Sequence, residues 1–252
     1  MKKIFSPFLP LVLALFVVQS LGAQANFIQE ARVEYEKKVN QHKPYEEEGE
    51  DNMWQQERMK VIPRFVSDVY ELKFNQKLSA YRLLKENPNN KYMMWGAKPS
   101  ETEVFCTNLE TQRQQIQKEI FENVYWVQDS IRQLDWKISD ETREIAGFEC
   151  RKAVTKICDS VYVVAFYTDQ IPVSAGPESF AGLPGLILGL AIPRLYTTWF
   201  ATKVELITPT TAQLNPPLKG KKVTRQQMQN DMQKSMKEWG KEGAMRMWMS
   251  QL

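Results

Sequence analysis

Short runs of alternating apolar and polar residues fill the stretch from Glu103 to Thr168, and they constrain the fold more than any other feature. The runs include "TEVFCTNLE", "QRQQIQKEIF", "NVYWVQDSI" and "VYVVAFYT", and clusters of Asn, Asp or Glu separate them. Alternation with a period of two is typical of half-buried strands, and short polar separators favour hairpins between antiparallel neighbours. We therefore predict an antiparallel β-sheet.

Further strands are predicted on both sides of this stretch. The segments "ARVEYEKKVN", residues 31–40, and "YTTWFATKVELI", residues 196–207, show the same alternation. Hairpin turns are expected at "NQK" and at "CDS", where polar residues interrupt paired β-type runs. Residues 41–63 are polar, and there we predict a long loop with a short helix around residues 52–59.

The C-terminal part of the chain has a helical pattern. The segment "TPTTAQLNPPLKGKK" is predicted as a linker from its proline content, and Thr224 is a suitable N-cap for the helix that follows. Met228, Met232, Met236 and Trp239 then form one apolar stripe, which is typical of a docking surface. The predicted class is therefore α+β: a predominantly antiparallel curved β-sheet, open or partly closed like a barrel, with a C-terminal amphipathic helix.

The N-terminus has the pattern of a secretory signal peptide. A basic start is followed by an apolar stretch, and small residues at Ala23 and Ala25 suit a cleavage site. The uninterrupted apolar core, Leu11–Val18, is shorter than the ~20 residues that span a bilayer, so cleavage is favoured over anchoring. We expect a protein exported to the periplasm or cell envelope, with no transmembrane span in the mature chain.

These features divide the chain into three parts. Residues 1–25 are predicted as the signal peptide, residues 26–210 as the antiparallel β domain, and residues 211–252 as a linker with the Met-rich helix. Loss of Lys2 and Lys3 lowers the formal charge from +3 to +1, because 31 basic residues then face 30 acidic ones. A nearly neutral chain lacks the long-range field that attracts nucleic acid, so no nucleic-acid partner is expected.

The segment "GPESFAGLPGLILGL", residues 176–190, is unusually rich in glycine and proline for an apolar run. Its spacing matches neither a dinucleotide fingerprint nor a phosphate loop. Glycine permits tight turns and close backbone contact, so we predict a corner that leads into a buried strand, "LILGLAI". A loop that faces a ligand is the alternative.

The wider segment "AFYTDQIPVSAGPESFAGLPGLILGL" closely resembles the signature of the GLPGLI family of secreted Bacteroidota proteins. The upstream block "WKISDETREIAGFECRKA" is similar to the preceding part of that signature. The resemblance implies an envelope-resident β-rich fold with no assigned catalytic residues, and an envelope or outer-membrane protein as a possible partner. The hexapeptide that names the family consists of Gly182, Leu183, Pro184, Gly185, Leu186 and Ile187.

The sequence offers little for an enzyme. His42 is the only histidine, whereas zinc sites and Ser/His or Cys/His systems usually need more than one such residue. Ser174 and Ser179 have no candidate base nearby in the sequence. We predict no catalytic residues and a non-enzymatic binding or accessory role.

Two alternative functions remain open. Soft thioether ligands select Cu(I), and "MRMWM" places Met245, Met247 and Met249 around Trp248 as a possible copper site. Packing of these methionines against the protein is the competing interpretation. A carrier of an apolar ligand is the second alternative, because a sheet curled around a helix can shelter a hydrophobic molecule.

Three cysteines remain in the mature chain, and an oxidising compartment would allow one pair. Cys150 and Cys158 are too far apart to pair if they lie on one strand, because bridged Cα atoms lie within ~7 Å of each other. Cys106 is therefore the expected partner of one of them.

Overall fold

The computed structural model describes residues 27–48, 53–92, 98–120, 123–157 and 161–236. The helices are α1 (Lys43–Glu48), α2 (Met53–Val61), α3 (Thr211–Leu214) and α4 (Arg225–Met236), with one 3-10 turn at Pro193–Leu195. The strands are β1 (Ala31–Asn40), β2 (Phe65–Phe74), β3 (Leu78–Lys85), β4 (Val104–Asn108), β5 (Arg113–Ile120), β6 (Asn123–Ser130), β7 (Lys137–Ile145), β8 (Phe148–Ile157), β9 (Val161–Thr168), β10 (Leu186–Ile192), β11 (Thr197–Glu205) and β12 (Lys221–Val223).

These strands form one sheet in the order β12-β6-β5-β4-β3-β2-β1-β11-β10-β9-β8-β7. Neighbouring strands are antiparallel, except that β12 runs parallel to β6. The chain builds the first half of the sheet outward from β1 to β6, and the second half returns from β7 to β11, which pairs with β1. The predicted fold class, with its curved sheet and C-terminal helix, is confirmed.

The short connection between β6 and β7 requires the sheet to curl. Ten neighbouring pairs separate these strands in the sheet order, a distance of about 48 Å in a flat sheet. Only six residues, Ile131–Trp136, join them, and from Ser130 to Lys137 the chain spans at most about 25 Å. The two halves therefore curve towards each other, although the sheet stays open.

The inner face of the curled sheet carries the core. Residues paired directly across neighbouring strands point to the same side of a sheet. One continuous row runs across six strands through Val33, Leu72, Tyr81, Phe105, Ile116 and Val127. Three buried tyrosines, Tyr35, Tyr70 and Tyr81, lie on this side, and we call them the inner-face tyrosines. Tyr70 and Tyr81 stack with ring centroids 5.2 Å apart.

Helix α4 packs on the sheet through Met228 and Met232. Thr224 caps the helix as predicted: its hydroxyl accepts from the Gln227 amide at 3.2 Å, and the Gln227 side chain accepts from the Thr224 amide at 2.8 Å. Met228 and Met232 are both buried in the core. These two residues of the predicted docking stripe therefore pack against the chain's own sheet.

Two polar segments contain more regular structure than expected. The short helix predicted around residues 52–59 is confirmed as α2, whereas α1 was not predicted. The Asn40 side chain accepts hydrogen bonds from the amides of His42 and Lys43, both at 3.2 Å, just before and at the start of α1. The predicted linker, residues 208–222, includes α3 and begins β12. Thr210 caps α3 with a reciprocal pair of hydrogen bonds to Gln213.

The cysteine prediction is wrong for the two cysteines that the structure describes. Cys106 and Cys150 are buried free thiols. Cys106 follows the inward-facing Phe105 on β4 and therefore points to the outer face, whereas Cys150 on β8 lies in the core. Cys158 lies outside the described residues.

Within the described ranges, no helix has both the length and the apolar character needed to cross a membrane. The predicted signal peptide, residues 1–25, lies outside these ranges.

Candidate functional site

The hexapeptide Gly182–Ile187 forms the corner that precedes β10. A Cβ atom at Gly185 would lie 2.0 Å from the carbonyl oxygen of Thr168, so no side chain fits there. Gly182 has a φ of +97°, which favours glycine. Leu183 and Ile187 are buried, and β10 continues as an almost completely buried strand, as predicted.

The connection between β9 and β10 that leads into and includes the start of this corner, residues 170–185, lies across the inner face. Gln114 of β5 donates to the carbonyl oxygen of Ser179 at 2.9 Å, and Trp136 donates to that of Ala181 at 3.0 Å. Apolar side chains of the segment are buried with the core, among them Ile171 and Phe180. The segment therefore covers the inner face, and we call it the covering segment.

The covering segment places one carboxylate inside the protein. Glu178 is 5% exposed, and its backbone has a φ of +55°, a left-handed conformation that is costly for a residue with a Cβ. Its Oε1 accepts from Lys37 Nζ of β1 at 2.8 Å and from the Trp199 indole of β11 at 3.2 Å. The left-handed backbone at Glu178 thus places a buried negative charge beside β1 and β11.

Lys37 lies between this carboxylate and two aromatic rings. Its Nζ is 5.3 Å from the ring centre of Tyr70 and 5.1 Å from that of Trp199, distances typical of cation–π contacts. Burial alone lowers the pKa of Lys37, but the Glu178 carboxylate outweighs this and raises it above the ordinary value. The side chain is 24% exposed, so Lys37 stays charged and reaches solvent.

Glu103 and Lys118 face each other beside this pair. Val104 of β4 pairs with Gln117 of β5, so the antiparallel register places Glu103 opposite Lys118 on the inner face. Lys118 is 9% exposed, and its Nζ lies 5.6 Å from the ring centre of Phe105. Burial raises the pKa of Glu103; the charge of Lys118 acts in the opposite direction, and the charge of Glu178 raises the pKa further. The Glu103 residue is nevertheless partly exposed. Glu103 is therefore enclosed by protein but open to solvent on one side.

A polar group without a partner lies beneath these side chains. The Tyr81 hydroxyl is buried and has no hydrogen-bond partner among the described residues. Burial raises the pKa of Tyr81 well above its ordinary value, and the Glu178 carboxylate raises it further. An unpaired buried hydroxyl costs free energy, so this region is not optimised for stability.

We call Lys37, Tyr70, Glu103, Lys118 and Glu178 the inner-face cluster. It occupies one end of the curled sheet, where β1 and β5 end and β2 and β4 begin. Two ammonium groups, two carboxyl groups and a phenol can donate to and accept from a polar ligand there. No group of three or more His, Cys, Asp or Glu in the described ranges could hold a metal ion.

A second charged group, on the outer face, contrasts with this cluster. Glu71 accepts from Arg32 at 2.9 Å, from Arg82 at 2.8 Å and from Lys73 at 3.2 Å. Burial opposes ionisation of Glu71, but the hydrogen bonds from Arg82 and Lys73 lower its pKa below the ordinary value. Its carboxylate is fully paired, so this network stabilises strand pairing and offers less to a ligand.

The residues singled out from sequence have different positions. The proposed copper ligands Met245, Met247 and Met249 lie outside the described residues. Ser174 accepts from the Gly182 amide at 2.8 Å and so supports the corner. His42 is buried with its Nε2 2.8 Å from the carbonyl oxygen of Ile62, in the segment that holds α1 and α2.

Sequence reasoning missed the inner-face cluster. Glu178 lies within the distinctive segment, but the sequence does not show that its side chain turns inward. Lys37 and Lys118 lie on strands with alternating patterns, and Glu103 immediately precedes such a strand; charged residues at these positions normally face solvent. One signal was present: Lys37 and Lys118 share the parity of apolar neighbours on their strands, Tyr35 and Ile116.

One protein-family model matches the part of the chain that contains the corner. A family described as "Protein of unknown function (Porph_ging)" matches residues 155–189, which run from β8 through the hexapeptide into β10. The match therefore includes the whole covering segment and Glu178. Among curated proteins, none matches this sequence.

Comparison with solved structures concerns the fold alone. PNGF-II in space group C2 superposes with a TM-score of 0.52 at 16% identity, covering 80% of this chain and 32% of that chain. PNGF-II in space group P21 gives a TM-score of 0.49 at 17% identity, covering 77% and 32%. An uncharacterized conserved protein from Thermus thermophilus gives 0.39 at 8%, covering 79% and 93%. This chain thus spans about a third of PNGF-II, and the first superposition indicates a shared strand arrangement.

Proposed function

We propose that this protein is an exported, non-enzymatic binding protein of the cell envelope, and that its ligand binds at the inner-face cluster. The observation that carries the proposal is the gathering of Lys37, Glu103, Lys118 and Glu178 at a partly exposed end of the core-bearing face. Ligand sites of curled sheets typically lie at such open ends.

The energetic cost of the cluster supports a binding role. Buried ion pairs contribute little net stability, because loss of hydration offsets the attraction between the charges. The left-handed backbone at Glu178 and the unpaired Tyr81 hydroxyl add to this cost. Strain of this kind concentrates at functional sites, where binding compensates for it.

Export and family resemblance give the proposal its cellular setting. The N-terminal residues have the composition of a signal peptide, and the hexapeptide resembles the signature of the secreted GLPGLI proteins. The family match covers the same hexapeptide. An accessory role beside an outer-membrane protein fits this setting.

A non-enzymatic role is supported by the chemistry of the cluster. Lys37 is held in its charged form by Glu178, so it is a poor nucleophile. The Nε2 atom of the single histidine, His42, lies 2.8 Å from the Ile62 carbonyl oxygen. The groups present suit recognition of a polar molecule through hydrogen bonds and charge.

The alternative functions receive less support. A carrier of an apolar molecule needs an apolar surface to shelter its ligand, but the covering segment already packs Ile171, Val173 and Phe180 into the inner face. Copper binding by Met245, Met247 and Met249 depends on residues outside the described ranges, so it stays a prediction from sequence.

Native mass spectrometry of protein recovered from the periplasm tests the proposal. We expect the wild type to carry a bound small molecule that Lys118→Met has lost. Lys77→Met is the matched control, because Lys77, on the β2–β3 turn, is an exposed lysine that pairs with Glu110. A bound mass that survives in Lys118→Met as in the control would contradict the proposal, as would a wild type recovered without any ligand.

A further inference from the structure

We propose that the inner-face cluster binds the oxyanion of a small molecule, a carboxylate or a phosphate, between Lys37 and Lys118, and that Glu103 takes up a proton as the anion binds. This inference rests on the proposed function and names its ligand class. It starts from two ammonium groups that both act on Glu103: Lys118 of β5, which lies opposite it, and Lys37 of β1.

A ligand at the open side of the cluster would contact mainly hydrogen-bond donors. The Lys37 ammonium group donates one hydrogen bond to Glu178 at 2.8 Å, and the Lys37 side chain is 24% exposed. Lys118 lies opposite Glu103 in the register of β4 and β5. Glu178 itself is almost completely buried, so its charge is directed at Lys37 and Trp199. An oxyanion at the open side would be held by Lys37 and Lys118.

The charged groups around Glu103 explain why its carboxylate would take up a proton when the anion binds. Lys118 faces it from β5, Lys37 from β1, Tyr70 from β2, and Glu178 from the covering segment. Glu119, the neighbour of Lys118, points to the outer face of β5 but still raises the pKa of Glu103. Burial is the main reason that the pKa of Glu103 is raised, and the two lysines do not compensate for it fully. A further negative charge beside this carboxyl raises its pKa again. Protonated Glu103 then donates a hydrogen bond to the anion, as both lysines do.

An ammonium ligand is less compatible with the cluster. The aromatic faces of Tyr70 and Trp199, which would attract a cation, are already occupied by Lys37, and that of Phe105 by Lys118. A cation would also approach two fixed positive charges. Uptake of a cation would instead release the proton from Glu103, so the two ligand classes predict opposite dependence on pH.

Isothermal titration calorimetry of the full chain distinguishes these cases. The probes are sulfate, a stand-in for phosphate whose charge is constant between pH 5 and 8, and acetate above pH 6. We expect the affinity of the wild type for the preferred probe to fall with rising pH, by up to about tenfold per pH unit. Preference for sulfate indicates a phosphate group in the natural ligand, and preference for acetate indicates a carboxylate.

Three variants complete the experiment. Lys118→Met should bind at least about tenfold more weakly, which corresponds to loss of one charged hydrogen bond. Glu103→Gln should bind with an affinity that no longer depends on pH. Lys77→Met should behave as the wild type. Thermal melting verifies that each variant is folded, and Lys37→Met replaces Lys118→Met if the latter does not fold.

The outcomes separate this inference from the proposed function. The anion proposal is overturned if neither probe binds the wild type, if affinity rises with pH, or if Lys118→Met binds as the control does. If native mass spectrometry still shows a ligand that Lys118→Met loses, the site stands and only its ligand class is wrong. A ligand that both cluster-lysine variants retain overturns the site as well.

Discussion

The Glu178→Gln substitution tests whether the covering segment is held by the buried ion pair. The change keeps the shape of the side chain, and an amide oxygen can still accept from Trp199, which donates to Oε1 at 3.2 Å. The negative charge 2.8 Å from Lys37 Nζ is lost. Lys37 then loses the carboxylate that its ammonium group contacts, while it stays between two aromatic rings.

The expected cost follows from the burial of the two partners. Removing one member of a fully buried pair costs about 3–5 kcal/mol, whereas an exposed pair contributes about 0–1 kcal/mol. The side chain of Glu178 is 4% exposed but that of Lys37 is 24% exposed, so we expect an intermediate loss, about 2 kcal/mol, in the free energy of unfolding. For a chain of this size the melting temperature would fall by about 4–8 °C.

Urea denaturation followed by tryptophan fluorescence measures this cost. The matched control is Glu110→Gln, because Glu110 also lies 2.8 Å from a lysine, Lys77, but both side chains are largely exposed. The control should leave the midpoint unchanged. The Glu178→Gln/Lys37→Met double variant should recover part of the loss, since it removes both charges. A Glu178→Gln midpoint equal to that of Glu110→Gln would refute the reasoning.

Three further predictions concern stability. Gly185→Ala should cost at least about 3 kcal/mol, because its Cβ would lie 2.0 Å from a backbone oxygen, whereas Gly147→Ala, with φ of +83° but open space, should cost about 1–2 kcal/mol; equal urea midpoints would contradict this. Glu103→Gln should gain stability over the wild type at pH 7 but not at pH 4. The raised pKa of Glu103 means that the unfolded chain ionises first as pH rises, and a constant difference would argue against it. Burial raises the pKa of the inner-face tyrosines above 10, so stability should fall above pH 10, and their absorbance at 295 nm should change only on unfolding; ionisation in the folded state would disprove this.

The strands were predictable because alternation records which side of each strand is buried. The first strand alternates buried and partly exposed residues from Ala31 to Tyr35, and β10 is almost completely buried. The N-cap at Thr224 was predictable for a local reason, since its partner Gln227 lies three residues away. The order of the strands was not predicted, because pairing of β1 with β11 depends on contacts distant in sequence.

The candidate site was not predictable from sequence because it is assembled from separate elements. Lys37 and Glu178 are 141 positions apart, and only the path of the covering segment joins them. The methionine stripe of α4 was correctly identified as apolar, but the pattern alone cannot say whether its partner is another protein or the chain's own sheet. Here Met228 and Met232 pack on the sheet.

A crystal structure of the protein isolated from the cell envelope is the most direct test of the central claim. The account predicts a bound oxyanion with one oxygen within hydrogen-bond distance, about 2.7–2.9 Å, of Lys118 Nζ and another near Lys37 Nζ. It also predicts that Glu178 keeps its contact with Lys37. A ligand bound elsewhere, with only solvent beside Lys37 and Lys118, would contradict the account.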